Sequence, residues 1–470
     1  MVFSELIFIY AFLPLFFIFY FLSRNLTYKN IVLVIFSLVF YAWGEPVWVL
    51  LLVGSTLADY FNGLFISKHF GKKTAKLGVA ASLAVNLGLL AIFKYGAFFT
   101  QTFNSVTGLA LPVHELDLPI GISFYSFQSI SYIVDVYRGK VKAQRSFLKF
   151  MMYISMFFQL VAGPIVCYDT IERQIERRDI SISNFSQGLI RFLIGLGKKV
   201  IIANSVGGIA DGILSNAVPQ STAAAWFGIL MFTLQIYFDF SGYSDMAIGM
   251  GRMAGFTFLE NFNYPYIARS AREFWRRWHI SLGSFFREYV YIPLGGNRKH
   301  QYLNLVIVWF LTGLWHGASW NFILWGCYFG VLIIIENLFL GKVLEKIPKI
   351  FSHIYLLFAA VLGWSLFYFT DLSRLGVYLS AMFNFGGSNV KLIDEITKTT
   401  FLNNIFVIAI AVIFCLPIIP KLKEFFTHKK SAIAQNIYLF GQTAAAITVL
   451  VISSILLVGD TNNPFLYFRF

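Results

Sequence analysis

Apolar runs about as long as a bilayer is thick follow one another almost end to end, from Val2 to Phe21 at one end to Ile437 to Val458 at the other. A spanning helix needs about 20 largely apolar residues, so the pattern predicts about ten to twelve spans. Seven basic loops separate them: Arg24 to Lys29, Lys68 to Lys76, Arg138 to Lys149, Arg173 to Arg178, Arg269 to Lys299, Lys342 to Lys349 and Lys421 to Lys430. Between some of these lie loops with no Lys or Arg, namely Trp43 to Pro46, Thr100 to Asp117 and Ser215 to Ser221. Lys and Arg collect in cytoplasmic loops, which places the first set inside and the second outside. The alternation runs cleanly to about residue 150. There Phe150 to Val166, too short to cross twice, sits between two basic loops. Either this segment dips in and returns on the same side, or one loop is on the wrong side. Re-entrant backbone is tolerated only where protein or a water-filled cavity surrounds it.

Composition agrees with this pattern. Of the 470 residues 58% are hydrophobic and 13% charged, against about a quarter charged in an ordinary soluble domain. So few charges cannot cover a globular surface of this size. The first apolar run has no basic leader and no small-residue cleavage site, and is read as a retained helix. The formal net charge of +14 resides mostly in the short loops. It therefore reports orientation, and no nucleic-acid partner is expected. Cys167, Cys327 and Cys415 lie far apart without paired spacing, as packing residues rather than a disulfide framework or zinc site. No internal repeat or long linker is evident, so the chain is read as one domain, residues 1–470, and a transporter built from inverted repeats gains no support. The expected fold is all-α: a polytopic membrane protein with re-entrant and amphipathic helices beside its spans.

One segment departs from the spanning pattern. Residues 261–299 read NFNYPYIARSAREFWRRWHISLGSFFREYVYIPLGGNRK, with seven Arg or Lys among aromatic residues. Phe274, Trp278, Ser281 and Phe285 recur at helical spacing, with Arg272, Arg276 and Arg287 opposite, as in one amphipathic helix at the interface. Its basic face suits anionic headgroups. It suits equally a vestibule for an anionic donor, such as the phosphates of a nucleotide-bearing thioester or a phosphopantetheine carrier.

Ionisable residues within apolar runs are costly and are functional candidates by default. His316 stands in FLTGLWHGASWNFILWG between Gly313 and Gly317, which admit close approach of another chain or a substrate. A helix from Tyr302 would carry it about 21 Å along its axis, well into a core about 30 Å thick. It either hydrogen-bonds to a neighbouring helix or performs acid-base chemistry: a neutral imidazole takes a proton from an attacking hydroxyl and returns it to a leaving thiolate. His279 is a second candidate, with an interfacial polar role as its alternative. Asp239 and Asp245, in IYFDFSGYSDMAIG, are expected to pair with arginines. No Gly-x-Ser-x-Gly elbow and no metal-ligand spacing of histidines is present, so neither a soluble-hydrolase mechanism nor a metal site is expected.

These stretches together resemble the membrane-bound O-acyltransferase (MBOAT) family, most closely its bacterial polysaccharide branch. The matching segments are PIGISFYSFQSISYIVDVYRG from Pro119, QLVAGPIV from Gln159, FDFSGYSDMAIG from Phe238, NFNYPY from Asn261, EFWRRWHISLGSFFREYVYIPLGGNR from Glu273 and LTGLWHGASWNFILWG from Leu311, within residues 119–326. The resemblance implies a ring of helices around a central funnel, His316 essential for acyl transfer and His279 near the same tunnel. On this reading Arg272, Arg276, Arg277 and Trp278 bind the donor, and Asp239, Tyr243, Trp315 and Asn321 line the passage. No cofactor is expected to be bound. The donor would be acetyl-CoA or an acyl carrier thioester at the cytoplasmic face of the inner membrane. The acetyl group would cross to an extracytoplasmic SGNH-type partner that acetylates a polysaccharide. Cys167 stands where the alginate branch leads one to expect a basic residue, leaving the polymer open. D-alanyl transfer to teichoic acid and a non-enzymatic transporter or channel are the alternatives.

Overall fold

In lipid, a segment must satisfy its own backbone hydrogen bonds, which turns long apolar runs into helices. The computed structural model describes residues 1–161, 163–384, 390–428, 432–459 and 465–466, and Lys429 and Lys430 of the last basic loop lie outside them. Among the described residues the regular elements are helical, beside one isolated bridge between Ser221 and Lys391. Seven helices are long and apolar enough to cross a membrane: Leu26–Gly44, Trp48–Lys68, Ala75–Phe93, Thr222–Met253, Trp320–Lys346, Lys349–Tyr368 and Ile433–Val458. The pair Glu395–Asn403 and Ile405–Phe414, bent by 64°, makes an eighth if taken as one span. Other apolar stretches that bring the sequence count to ten or more fold as shorter helices, among them Phe8–Phe21, Ile122–Arg138 and Gln301–His316.

The chain groups into two compact units: Met1–Phe192 with Ser244–Glu260 and Ser284–Val290, and Leu193–Tyr243 with Asn261–Gly283 and Tyr291–Phe470. Because the chain enters each unit three times, no linker or shift in composition marks the division, and the sequence reads as one domain.

In the first unit an aromatic cluster of Phe8, Phe12, Phe16, Phe40 and Phe157 forms one core, with ring centroids 5.2–6.2 Å apart. Four basic loops come together here, as their common charge predicted. Arg178 reaches Tyr20 beside the Arg24 to Lys29 loop, Gly139 abuts Phe70, Lys140 pairs with Asp169 at 2.7 Å, and Lys149 pairs with Glu176 at 2.6 Å. The last contact joins the loops before and after Phe150 to Val166. That segment therefore returns to the side it left: helix Phe147–Ser155 breaks at Met156 and continues only through Phe157–Leu160. Its described residues from Phe150 to Val166 are all buried, which is the enclosure such backbone requires.

The second unit has a core of large aromatic residues from Thr222–Met253, Trp320–Ile335 and Lys349–Tyr368. Gln301–His316 packs against Trp320–Ile335 as a helical hairpin. A Cβ on Gly326 would lie 2.3 Å from the Trp309 carbonyl oxygen, and one on Gly313 would lie 2.4 Å from that of Phe322. Only glycine at both positions lets the two helices touch backbone to backbone.

Candidate functional site

The segment expected to be one amphipathic helix is two, Ala271–Arg277 and Ile280–Phe286. Between them Trp278 is extended (φ −102°, ψ 129°) and His279 has φ +43°. Two ties across the break hold it: Asn263 N donates to Arg277 O and Ile280 N donates to Asn261 O, each at 2.9 Å. These bonds satisfy backbone groups that a continuous helix would have satisfied itself. Left-handed backbone at a non-glycine residue costs roughly 1–3 kcal/mol and persists where the surroundings fix it.

The first of these helices is secured at its start by side chains. Ser270 Oγ accepts from Glu273 N at 3.1 Å, and the buried Glu336 carboxylate accepts from Ala271 N at 2.6 Å and Arg272 N at 2.9 Å. Of the three arginines expected to meet a donor, Arg272 and Arg276 are exposed. The Arg272 guanidinium also donates to Asn337 Oδ1 at 3.1 Å. Arg277 is half-buried, pairs with Glu273 at 2.9 Å and donates to Asn263 O at 3.1 Å. Trp278 turns inward, its ring 4.7 Å from Trp364 and 5.1 Å from Phe262.

His279 is buried and its tautomer follows from its neighbours. Asn261 Oδ1 lies 3.0 Å from His279 Nδ1, and the same atom accepts from Ser281 N at 3.2 Å and Ser281 Oγ at 2.9 Å. A backbone N–H can only donate, so this atom is the amide oxygen, and Nδ1 facing it must carry the proton. The lone pair is then on Nε2, which is buried with no hydrogen-bond partner among the described residues. His279 lies outside the seven long spans, and burial pulls its pKa down to about 3. The ring is therefore neutral, with one basic nitrogen in a fixed direction.

His316 is the last residue of its helix and sits at the turn of the hairpin. Its ring lies 4.8 Å from Trp325, 5.2 Å from Phe367 and 4.8 Å from Trp315. The Trp315 ring is in turn 5.8 Å from that of His279. Two imidazoles 37 residues apart in sequence thus share one indole. Asn321 supports this wall: its amide donates to Leu366 O at 3.2 Å and Phe367 O at 3.3 Å, the closing carbonyls of Lys349–Tyr368.

The two acids divide. Asp245 meets an arginine as expected, Arg191 Nε at 2.7 Å, and Glu260 takes the rest of that guanidinium at 2.6 and 2.9 Å. Asp239 does not meet an arginine: its partner is Lys199, at 2.6 Å, both side chains being 4% exposed. Its other oxygen accepts from Leu466 N at 2.9 Å. Tyr243 packs on Phe465 at 4.3 Å, and Lys199 Nζ stands 4.8 Å from the same ring. Asp239 and Tyr243 therefore grip residues 465–466, contacts that apolar periodicity does not encode. Asn261 and Glu336 escaped the sequence reading, although Asn261 lies in the NFNYPY segment and Glu336 closes a long apolar run. Among the described residues no three His, Cys, Asp or Glu side chains converge on a metal-sized site.

Residues 140–379 match the model of MBOAT, the membrane-bound O-acyltransferase family. The chain is 38% identical to the protein named "Probable alginate O-acetylase AlgI" of Pseudomonas putida, with all of both chains covered. It is 32% identical to the peptidoglycan O-acetyltransferase of Helicobacter pylori, over 100% of this chain and 98% of that one. It is 27% identical to the teichoic acid D-alanyltransferase of Bacillus subtilis, over 48% of this chain and 61% of that one. With the family model matched over half the chain and relatives matched over their whole length, this multi-pass membrane protein is an acyltransferase belonging to the membrane-bound O-acyltransferase family.

Proposed function

We propose that the chain takes an acetyl group from a cytoplasmic thioester, acetyl-CoA or an acyl carrier, and passes it across the inner membrane for O-acetylation of an extracytoplasmic polysaccharide. The whole 470 residues act as one module, in keeping with the end-to-end match to relatives named for acetylating alginate and peptidoglycan. An SGNH-type acetyltransferase receives the group on the outer side.

The observation that carries this reading is the pair of imidazoles sharing Trp315, one with its lone pair fixed by Asn261. In the reaction an acceptor hydroxyl forms a C–O bond to the acyl carbon as its proton passes to imidazole nitrogen. The C–S bond breaks, and the thiolate recovers that proton, so thioester and alcohol become ester and thiol. His316 is the base for this step and His279 the second catalytic imidazole. Arg272, Arg276 and Arg277 meet the phosphates of the donor, and Trp278 with Trp315 forms the apolar wall beside the acyl chain. Both imidazoles are buried, 2% exposed for His279 and 6% for His316, which excludes bulk water that would hydrolyse the thioester.

The test is turnover of radiolabelled acetyl thioesters by the full-length protein in proteoliposomes, with acetyl content of the cell's polysaccharides as the readout in vivo. His316→Ala, shown to be folded and inserted, should lose about 100-fold or more of the rate. Normal polymer acetylation by that variant would remove His316 from the mechanism. Turnover of a D-alanyl carrier with no use of an acetyl donor would move the reading to teichoic acid. Solute flux without thioester consumption would make the protein a transporter.

A further inference from the structure

The first unit holds two cations that, among the described residues, no acid neutralises in the contacts they make. Arg178 NH1 donates to Tyr20 Oη at 2.6 Å, its Nε donates to Gln174 O at 3.2 Å, and NH2 lies 3.4 Å from Met152 Sδ. The guanidinium carbon stands 4.5 Å from the centre of the Phe256 ring and 6.0 Å from that of Tyr20. Lys29 Nζ is 4.6 Å from the Tyr20 ring and 4.8 Å from that of Phe21. Each contact is with a carbonyl, a hydroxyl, a sulfur or a π face. Tyr20 cannot supply the missing charge, since its hydroxyl donates to Ala254 O at 2.7 Å. Of the acids nearby in sequence, Glu176 pairs with Lys149, Asp169 pairs with Lys140, and Asp179 accepts from Asn184 Nδ2 at 3.4 Å.

Burying charge without a counterion is costly, and a phosphate is the anion for which an arginine and a lysine are suited. The surroundings name its source. Lys29 lies in the first turn of Leu26–Gly44, whose positive dipole end also favours an anion. Both cations belong to basic loops expected at the cytoplasmic face. Directly beside them, on the run that carries Tyr20, Ile18 is 59% and Leu22 67% exposed, and Ile31 and Ile35 line the next helix in the same way. Charge at the end of two exposed apolar stripes matches a headgroup with acyl chains below it.

We propose that Lys29 and Arg178, both held against Tyr20, form a binding site for the phosphate of an anionic phospholipid in the cytoplasmic leaflet. The lipid neutralises the pair and ties the end of the first helix to the loop after residue 173.

The test is native mass spectrometry of the full-length protein in detergent, titrated with phosphatidylglycerol or phosphatidylcholine, with inorganic phosphate as the soluble competitor. Wild type should retain phosphatidylglycerol in preference to phosphatidylcholine, and excess inorganic phosphate should not displace it. Lys29→Gln, which leaves the Arg178 contacts in place, should weaken retention about fivefold. Lys29→Gln with Arg178→Gln should weaken it roughly ten- to thirtyfold. Arg178→Lys, which keeps the charge, should bind within about twofold of wild type. Melting midpoints of the lipid-free variants separate lost binding from lost fold. Undiminished retention by a folded double variant would overturn the site. Displacement of the lipid by inorganic phosphate would overturn the assignment to lipid and give the site to a soluble phosphate.

Discussion

Replacing Asn261 with Asp tests the tautomer argument most directly. The exchange keeps the oxygen that accepts from Ser281 N and His279 Nδ1, changes no volume, and adds one charge 3.0 Å from the imidazole. In the wild type burial holds the His279 pKa at about 3, so the ring is neutral at every pH at which the enzyme can be assayed. Activity should show no acid limb from this group. A carboxylate against Nδ1 favours the imidazolium, and an opposite charge at that range raises a pKa by about one to three pH units. The sign follows: the variant's ring begins to protonate between about pH 4 and 6, Nε2 loses its lone pair, and the rate falls as pH falls through that window. Asn261→Ala is the complementary change. It leaves Ser281 N–H and His279 Nδ1–H buried without an acceptor, at about 1–3 kcal/mol each. It also frees the tautomer, with a loss of about 100-fold or more in rate if Nε2 takes part in proton transfer. The assay is initial rate of acetyl transfer from labelled thioester between pH 4.5 and 8, with folded fraction followed by thermal unfolding. A pH profile of Asn261→Asp superimposable on wild type, together with a folded Asn261→Ala of undiminished rate, would refute both the tautomer and the role of Nε2.

Three further outcomes follow from the packing. Gly326→Val places side-chain carbon where the Trp309 carbonyl oxygen is 2.3 Å away, so the hairpin must part; overpacking costs about 1–3 kcal/mol or more, seen as a lower melting midpoint and lost yield. Glu336→Ala removes the acceptor of Ala271 N and Arg272 N at about 1–3 kcal/mol for each buried donor, whereas Glu336→Gln retains one oxygen and should lose less; limited proteolysis after Arg272 or Arg276 reads the loosening. Lys199→Met leaves Asp239 buried and unpaired, at about 3–5 kcal/mol, while Lys199→Met with Asp239→Leu should recover much of it; a double variant no more stable than the single would show that Leu466 N, which also donates to Asp239, dominates the loss.

The architecture was legible because it rests on composition and run length, which a bilayer makes decisive. The re-entrant segment was only half readable: charge on both flanks of a run too short to cross twice left two readings, a return to the same side or a misplaced loop, and Lys149 meeting Glu176 shows the one adopted. The span count was less legible, since a run of apolar residues does not say where its helix ends. Nothing apolar changes at Gly317, yet Gln301–His316 stops there.

The residues of the candidate site were legible as types and illegible as geometry. His316 and His279 stood out because imidazoles are rare in apolar surroundings, but their meeting across Trp315 depends on a break that periodicity argued against. Phe274, Trp278 and Phe285 hold helical spacing through the break, so the apolar pattern carries no mark of it. The interruption is written instead in Asn261 and Asn263, whose backbone groups bond to Ile280 and Arg277. Asn261 thus does two things at once: its backbone bends the chain so that His279 points into the aromatic cluster, and its side chain decides which nitrogen of that ring is basic. A polar residue that sets both direction and protonation from outside the apolar pattern is invisible to any reading based on that pattern. It follows that activity here should respond more sharply to Asn261 than to the better-marked Arg276, which is exposed and meets no reacting atom until a donor arrives. Comparable loss on replacing either would mean that donor capture, and not the imidazole, limits the rate.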